Sequence, residues 1–358
     1  MNQNREAFVN LIKHQGQING RYSSLELISD KGFFSILFKG FDQLLGKKVA
    51  LKFYDPDKEL DVYRLKCFQR EAELLQKLKG QPNIIELVEG LSNLEITLSY
   101  VQTGIQFKKS YNFYVMELAE SDFEQYIYLG TADFNVIKKL TYFREVCKGV
   151  ARIHRQAICH RDLKPNNFLI CRGGTVKMSD LGTANQLNKQ HILQEYSMPV
   201  GDMGYMAPEL ICGIGICDEH VFSADIFSLG AILFEMFTKT KLTSKIYDVE
   251  FIKKLISFKN YLEGSPAKNR KQIYNETIDT IVTPHRLPDI YSYNDLVPSS
   301  IKHNLNDLYK QLAVLNYAKR LCDFNSIIRK IDICILILKK ERLQQLRRQQ
   351  KIRTRERV

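Results

Sequence analysis

The chain has no Cys-x-x-Cys pair among its eight cysteines; Cys212 and Cys217 have four residues between them. That spacing gives no reason to expect a structural zinc site. The N-terminus lacks the charged segment followed by an apolar core that marks a secretory leader, and neither an internal repeat nor a low-complexity linker interrupts the chain. No apolar run approaches the roughly 20 residues that span a bilayer. The strongest, Ile331 to Leu338, is broken by Asp332 and Cys334. These absences point to a reduced, intracellular and cytoplasmic protein without a membrane span.

What is present suits a packed globular chain. With 358 residues, 44% apolar and 26% charged, it is long enough for one large or two medium domains and a sizeable core. The net charge of +12 is uneven, because residues 339–358 hold nine Lys or Arg against two Glu. That tail lacks Gly and Pro, and Ile328, Ile331, Ile335, Leu338, Leu343 and Leu346 recur near helical spacing. The last domain helix is therefore expected to run on into solvent. A solvated helix end explains the tail; contact with acidic protein, nucleic acid or anionic lipid is the alternative. No aromatic residue interleaves with the basic ones, which disfavours base stacking.

From Tyr22 to about Phe53, runs of Ile, Leu, Phe and Val are broken by Asp30-Lys31-Gly32 and Gly46-Lys47-Lys48, the pattern of three hairpin-linked strands. A helix is predicted over Tyr63 to Leu78, where Phe68, Ala72 and Leu75 form one apolar stripe that also contains Glu71. A carboxylate on such a stripe needs a partner, since burying it unpaired costs several kcal/mol. Strands are predicted at about Ile84–Val88 and Tyr111–Glu117. Beyond Glu120 the pattern turns mainly helical, with short strands around residues 160–182. Residues 240–300 suggest a variable helical insert with exposed loops.

Three segments carry chemistry: His160-Arg161-Asp162-Leu163-Lys164-Pro165-Asn166-Asn167, then Asp180-Leu181-Gly182, then Ala207-Pro208-Glu209. In this order they resemble the catalytic core of the eukaryotic-type protein kinases. The resemblance implies a two-lobed α+β fold: a kinase N-lobe over 22–118, a hinge and helical C-lobe over 119–338, an N-terminal extension (1–21) and the basic helical tail. It also implies transfer of the γ-phosphate of ATP, with Mg²⁺, to Ser or Thr hydroxyls of protein substrates, autophosphorylation included. Lys164 separates the chain from the tyrosine-kinase pattern.

Residue by residue, the resemblance makes Asp162 the group that accepts or orients the acceptor's proton, and Lys164 the neutraliser of the γ-phosphate. Asn167 and Asp180 become the metal ligands. Lys48-Val49-Ala50-Leu51-Lys52 is similar to the family's Val-Ala-Ile-Lys, so Lys52 would meet the α- and β-phosphates with Glu71 as its counter-ion. Gly32 and Ser35 fall in the phosphate-covering loop, with Asp30 where its first glycine is expected. Leu37 and Ala50 would roof the adenine and Leu169 lie beneath it. Met116 is the gatekeeper, and the backbone of Glu117 and Ala119 would pair with the adenine edge. Asn316-Tyr317-Ala318-Lys319-Arg320 nominates Arg320 as the partner of Glu209, Asp225 is expected to hold the catalytic-loop backbone, and Phe227 stands where the family usually has Trp.

Two departures motivate an alternative, a pseudokinase or kinase-like scaffold. Asp30 puts negative charge near the triphosphate, and Asp202 replaces the family's Thr, where it would either bind Lys164 or repel Asp162. Thr183, Tyr196 and Ser197 lie in the activation segment; phosphorylation near Ser197 would pair with Arg161. Asn167-Phe168-Leu169-Ile170 and Thr183-Ala184-Asn185 are also similar to the monopolar-spindle checkpoint kinases, and the subfamily is left unassigned.

Overall fold

The computed structural model describes residues 3–30, 32, 34–99, 105–128, 135–187, 200–214, 221–282, 287–293 and 297–355. They form two compact units: residues up to 121 with 169–183, and 122–168 with 184–187 and the rest of the C-terminal half.

The first unit is built on a six-stranded antiparallel sheet preceded by a helix, α1 (Gln3–His14). Its strands are β1 (Gln17–Ile18), β2 (Tyr22–Ser29), β3 (Ser35–Asp42), β4 (Lys47–Tyr54), β5 (Leu87–Ser99) and β6 (Gln106–Glu117), in the order β1-β2-β3-β4-β6-β5. Alternation along the strands divides the sheet into two chemically different faces. Ile36, Phe38, Val49, Leu51, Phe53, Phe113 and Val115 point to one side, where Phe8, Val9 and Ile12 of α1 cover them. Leu37 is opposite Lys52, Lys52 opposite Tyr114, and Ala50 opposite Met116, so these residues share the other side.

Helix α2 (Val62–Lys77) starts on Asp61, whose side chain accepts from the Arg64 N–H, and buries Phe68, Glu71, Ala72 and Leu75. A hairpin of Phe168–Cys171 and Thr175–Met178 follows, joined to this unit by a bridge between Ile84 and Met178.

The sheet departs from the sequence reading in two places. β5 and β6 run far past the predicted Ile84–Val88 and Tyr111–Glu117 and pair as far as Ser99 with Gln106. Leu94 and Ile96 alternate with exposed polar residues and are buried, a period-2 pattern present in the sequence. The expected domain start at Tyr22 falls inside the packed unit, because Phe8, Val9, Ile12 and Ile18 belong to its core.

The second unit is helical: α3 (Phe123–Tyr128), α4 (Val136–Arg155), α5 (Pro208–Ile211), α6 (Val221–Thr238), α7 (Thr243–Ile246), α8 (Val249–Gly264), α9 (Arg270–Val282), α10 (Lys302–Leu312) and α11 (Phe324–Arg355). Among the described residues α6, not Ile331–Leu338, is the helix long and apolar enough to cross a membrane, and 94% of it is buried inside the unit. Gly230 lets α10 come close: a Cβ there would lie 2.8 Å from the Ala313 nitrogen. The 240–300 stretch, expected as an insert with exposed loops, packs Phe251, Leu255, Phe258 and Leu262 of α8 and Tyr274 and Ile278 of α9 into the interior. α11 is anchored by Ile327, Ile331, Cys334 and Ile335 and continues past Leu338 with mostly exposed residues.

Candidate active site

The first unit gathers the charged cluster on the open face of its sheet. β4 presents Lys52, and its Nζ donates to both oxygens of Glu71, at 3.0 and 2.8 Å, and to Asp180 Oδ1 at 3.4 Å. Glu71 is 1% exposed, so the awkward carboxylate on the apolar stripe of α2 does receive a cation. Burial would lower the Lys52 pKa, but Asp180 and Glu71 outweigh it and hold the ammonium above its usual value. Lys52 therefore stays charged across the physiological range.

Asp180 follows the hairpin in a left-handed conformation, φ 59°, that aspartate tolerates better than most residues. Its carboxylate is 40% exposed and so open to a ligand. Leu181 behind it is fully buried. Gly182 makes room for the Phe34 ring, which would lie 3.2 Å from a Cβ there, and the Lys52 ammonium is 6.0 Å from the same ring.

The residues assigned to the nucleotide lie in this unit. Gly32 comes close to Ser35, the first residue of β3: a Cβ on Gly32 would sit 2.6 Å from the Ser35 carbonyl oxygen, so only glycine fits. Ala50 and Met116 are buried, while Leu37, Leu169, Glu117 and Ala119 are half-buried. The Glu117 N–H is used by the Glu86 carbonyl. The Glu117 side chain meets Lys177 and the Glu86 N–H, an arrangement the sequence did not suggest.

The second unit holds the residues that the resemblance assigned to a catalytic loop. Arg161 is left-handed, φ 65°, and Gly201, φ 112°, approaches it so closely that a Cβ would lie 2.4 Å from the Arg161 carbonyl oxygen. Asp225 of α6 pins this turn: Oδ2 accepts from the His160 N–H at 2.8 Å and Oδ1 from the Arg161 N–H at 2.9 Å. His154 Nε2 lies 2.8 Å from the same Oδ2. Nothing in the sequence singled out His154, because its partner is 71 positions away on another helix.

The turn presents Asp162. Its Oδ2 accepts from Lys164 Nζ at 2.9 Å and its Oδ1 from the Asp202 N–H at 2.8 Å. Asn167 Nδ2 donates to the Asp162 carbonyl oxygen at 2.7 Å. Asp202 thus supports Asp162 through its backbone, and its own Oδ1 accepts from the Gly204 N–H at 2.7 Å. Glu209 and Arg320 form the nominated pair deep in the unit, with the Phe227 ring 5.2 Å from the guanidinium. Glu235, which sequence reasoning missed, accepts from the hydroxyls of Tyr128 and Tyr205. Tyr196 and Ser197 lie outside the described residues.

Burial pushes the Asp225 carboxyl up, but His154 and the backbone donors prevail and hold it below its ordinary value. A carboxylate depressed in the folded state adds stability above its unfolded pKa, about 3.9, and loses it as the pH falls through the folded value. Asp225→Asn is expected to cost on the order of 2 kcal/mol at neutral pH, with the gap to wild type closing below about pH 4. Thermal melts across that range check this. A gap independent of pH would mean that shape, not charge, holds the turn.

The family model described as the protein kinase domain matches residues 26–330. A probable serine/threonine-protein kinase of Dictyostelium discoideum is 31% identical over 222 residues, 61% of this chain and 31% of that protein. Serine/threonine-protein kinase PrkC of Bacillus subtilis is 29% identical over 223 residues, 62% of this chain and 31% of that one. Cyclin-dependent kinase D-1 of Arabidopsis thaliana is 27% identical over 244 residues, 67% and 55% of the two chains. The chain spans about a third of the first two relatives and about half of the third. Because the family match takes in nearly every element of both units, the chain belongs to the protein kinase domain family.

Proposed function

We propose that the chain transfers the γ-phosphate of ATP to Ser or Thr hydroxyls of proteins, itself included. The observation that carries this is the Asp162 carboxylate, held at one oxygen by the Asp202 N–H and at the other by Lys164. Such a group orients an acceptor hydroxyl and takes its proton, while the ammonium beside it neutralises charge on the phosphoryl group. Lys52, kept cationic and fixed by Glu71, binds the α- and β-phosphates.

The donor set suits Mg²⁺, a hard cation that prefers oxygen and takes few protein ligands. Asp180 offers a partly exposed carboxylate; Asn167 donates its nitrogen to the Asp162 carbonyl oxygen, and its amide oxygen is the atom that would hold the metal. When bound, the metal neutralises phosphate charge. Serine/threonine specificity is supported by Lys164 and by the names of the relatives.

The test is transfer of labelled γ-phosphate to a generic basic protein and to the chain itself, followed by phosphoamino-acid analysis. Label on serine or threonine is the expected result; label on tyrosine alone, or none beside bound ATP, overturns the proposal. A chain ending at Leu338 should keep the activity. If the basic stretch beyond it contacts acidic partners, nucleic acid or anionic lipid, that shorter chain loses heparin binding.

A further inference from the structure

Helix α1 precedes the region matched by the family, yet it reaches the loop that would cover the phosphates. Phe8 seats the helix on the closed face of the sheet, its ring 4.7 Å from that of Tyr111 and 5.4 Å from that of Phe53. One turn earlier stands Arg5. Its Nη2 donates to the carbonyl oxygens of Gly32, at 2.9 Å, and Ser35, at 3.1 Å, and its Nη1 lies 3.3 Å from Asp55 Oδ2. Asp55 is buried, and its own N–H donates to the Phe34 carbonyl oxygen at 3.0 Å.

The carbonyls of Gly32 and Ser35 are therefore held by the Arg5 guanidinium, and that of Phe34 by the main-chain N–H of the Asp55 to which Arg5 is paired. The Arg5 side chain is only 17% exposed, so water competes weakly for these bonds. In a trans peptide the C=O and the following N–H point oppositely, so fixing the Phe34 carbonyl turns the Ser35 N–H away from Asp55. Backbone N–H groups presented by such a loop are what a phosphate takes from it. The Phe34 ring meanwhile rests beside Gly182 and Lys52.

We infer that Arg5 is a positioning residue for nucleotide binding: with Asp55 it braces the backbone of Gly32, Phe34 and Ser35 for covering the phosphates, so that α1 sets the affinity for ATP. This rests on the phosphoryl-transfer function proposed above. Lysine is a poor substitute, since one ammonium cannot reproduce the planar fork that spans two carbonyls and a carboxylate.

The experiment compares the full-length wild type with Arg5→Ala and Arg5→Lys, using Mg-ATP and a generic protein acceptor. Both variants should raise the KM for ATP about tenfold, what two hydrogen bonds of ordinary net strength amount to, with kcat within roughly twofold. In the absence of nucleotide, amide hydrogen exchange should accelerate at Ile36 and Asp55, whose N–H groups lie in the ladder beside the braced carbonyls, and stay unchanged at Phe113 to Glu117. Support requires both results. An unchanged KM, a fall in kcat alone, or exchange that accelerates across the whole sheet overturns the brace, the last by making Arg5 a stability residue only. A wild type that transfers no phosphate excludes phosphoryl transfer itself, whereas a competent wild type with unaltered variants excludes only the brace.

Discussion

Asp162→Asn is expected to transfer phosphate about 10²- to 10⁴-fold more slowly than wild type, with its KM for ATP and melting temperature nearly unchanged. Asparagine keeps an oxygen for the Asp202 N–H, so the loop retains its shape while losing the basicity and charge that the acceptor hydroxyl requires. Lys164 loses its ion-pair partner, but it is partly exposed and can be solvated. Steady-state kinetics on purified protein decide the matter. A rate within tenfold of wild type would remove Asp162 from the chemistry, and a slow rate with a large drop in melting temperature would make its role structural.

Arg320→Ala carries the largest expected loss of stability, roughly 3–5 kcal/mol, because it leaves Glu209 charged and fully buried without a partner. The guanidinium also donates to the carbonyl oxygens of Val314, Leu315 and Ser223. Burial would lower the Arg320 pKa, but Glu209 more than compensates and raises it, so the charge persists at any working pH. A fall in melting temperature on the order of 10 °C is expected. If the melt moves by less than about 2 °C, water reaches Glu209 and the pair contributes little.

How far the sequence could be read depended on where each signal was stored. The Lys52–Glu71 pair was legible because a carboxylate on an apolar stripe has few ways to exist, and the resemblance supplied its cation. Glu209 and Arg320 were legible only through motif order, since 111 positions separate them. Asp202 was read, as a departure from the family's Thr, for a side chain that binds Lys164 or repels Asp162; the geometry adds what that reading did not contain, an N–H that steadies Asp162 and one side-chain oxygen turned to Gly204. α1 went unread although Phe8, Val9 and Ile12 have helical spacing, because two turns of amphipathic pattern do not reveal what will cover them. His154 and Arg5 left no local signal, because each acts on backbone or carboxylate brought near by tertiary packing.

The roof that α1 makes over the sheet has a consequence in time. Phe8 emerges from the ribosome long before Tyr111, a partner about 100 residues downstream, so this helix is made well before the strands that seat it. At ordinary synthesis rates its apolar side waits on the order of ten seconds without the strands that will shield it. For that interval the nascent chain carries a sticky amphipathic segment, and chaperone capture at Phe8 to Ile12 competes with completion of the sheet.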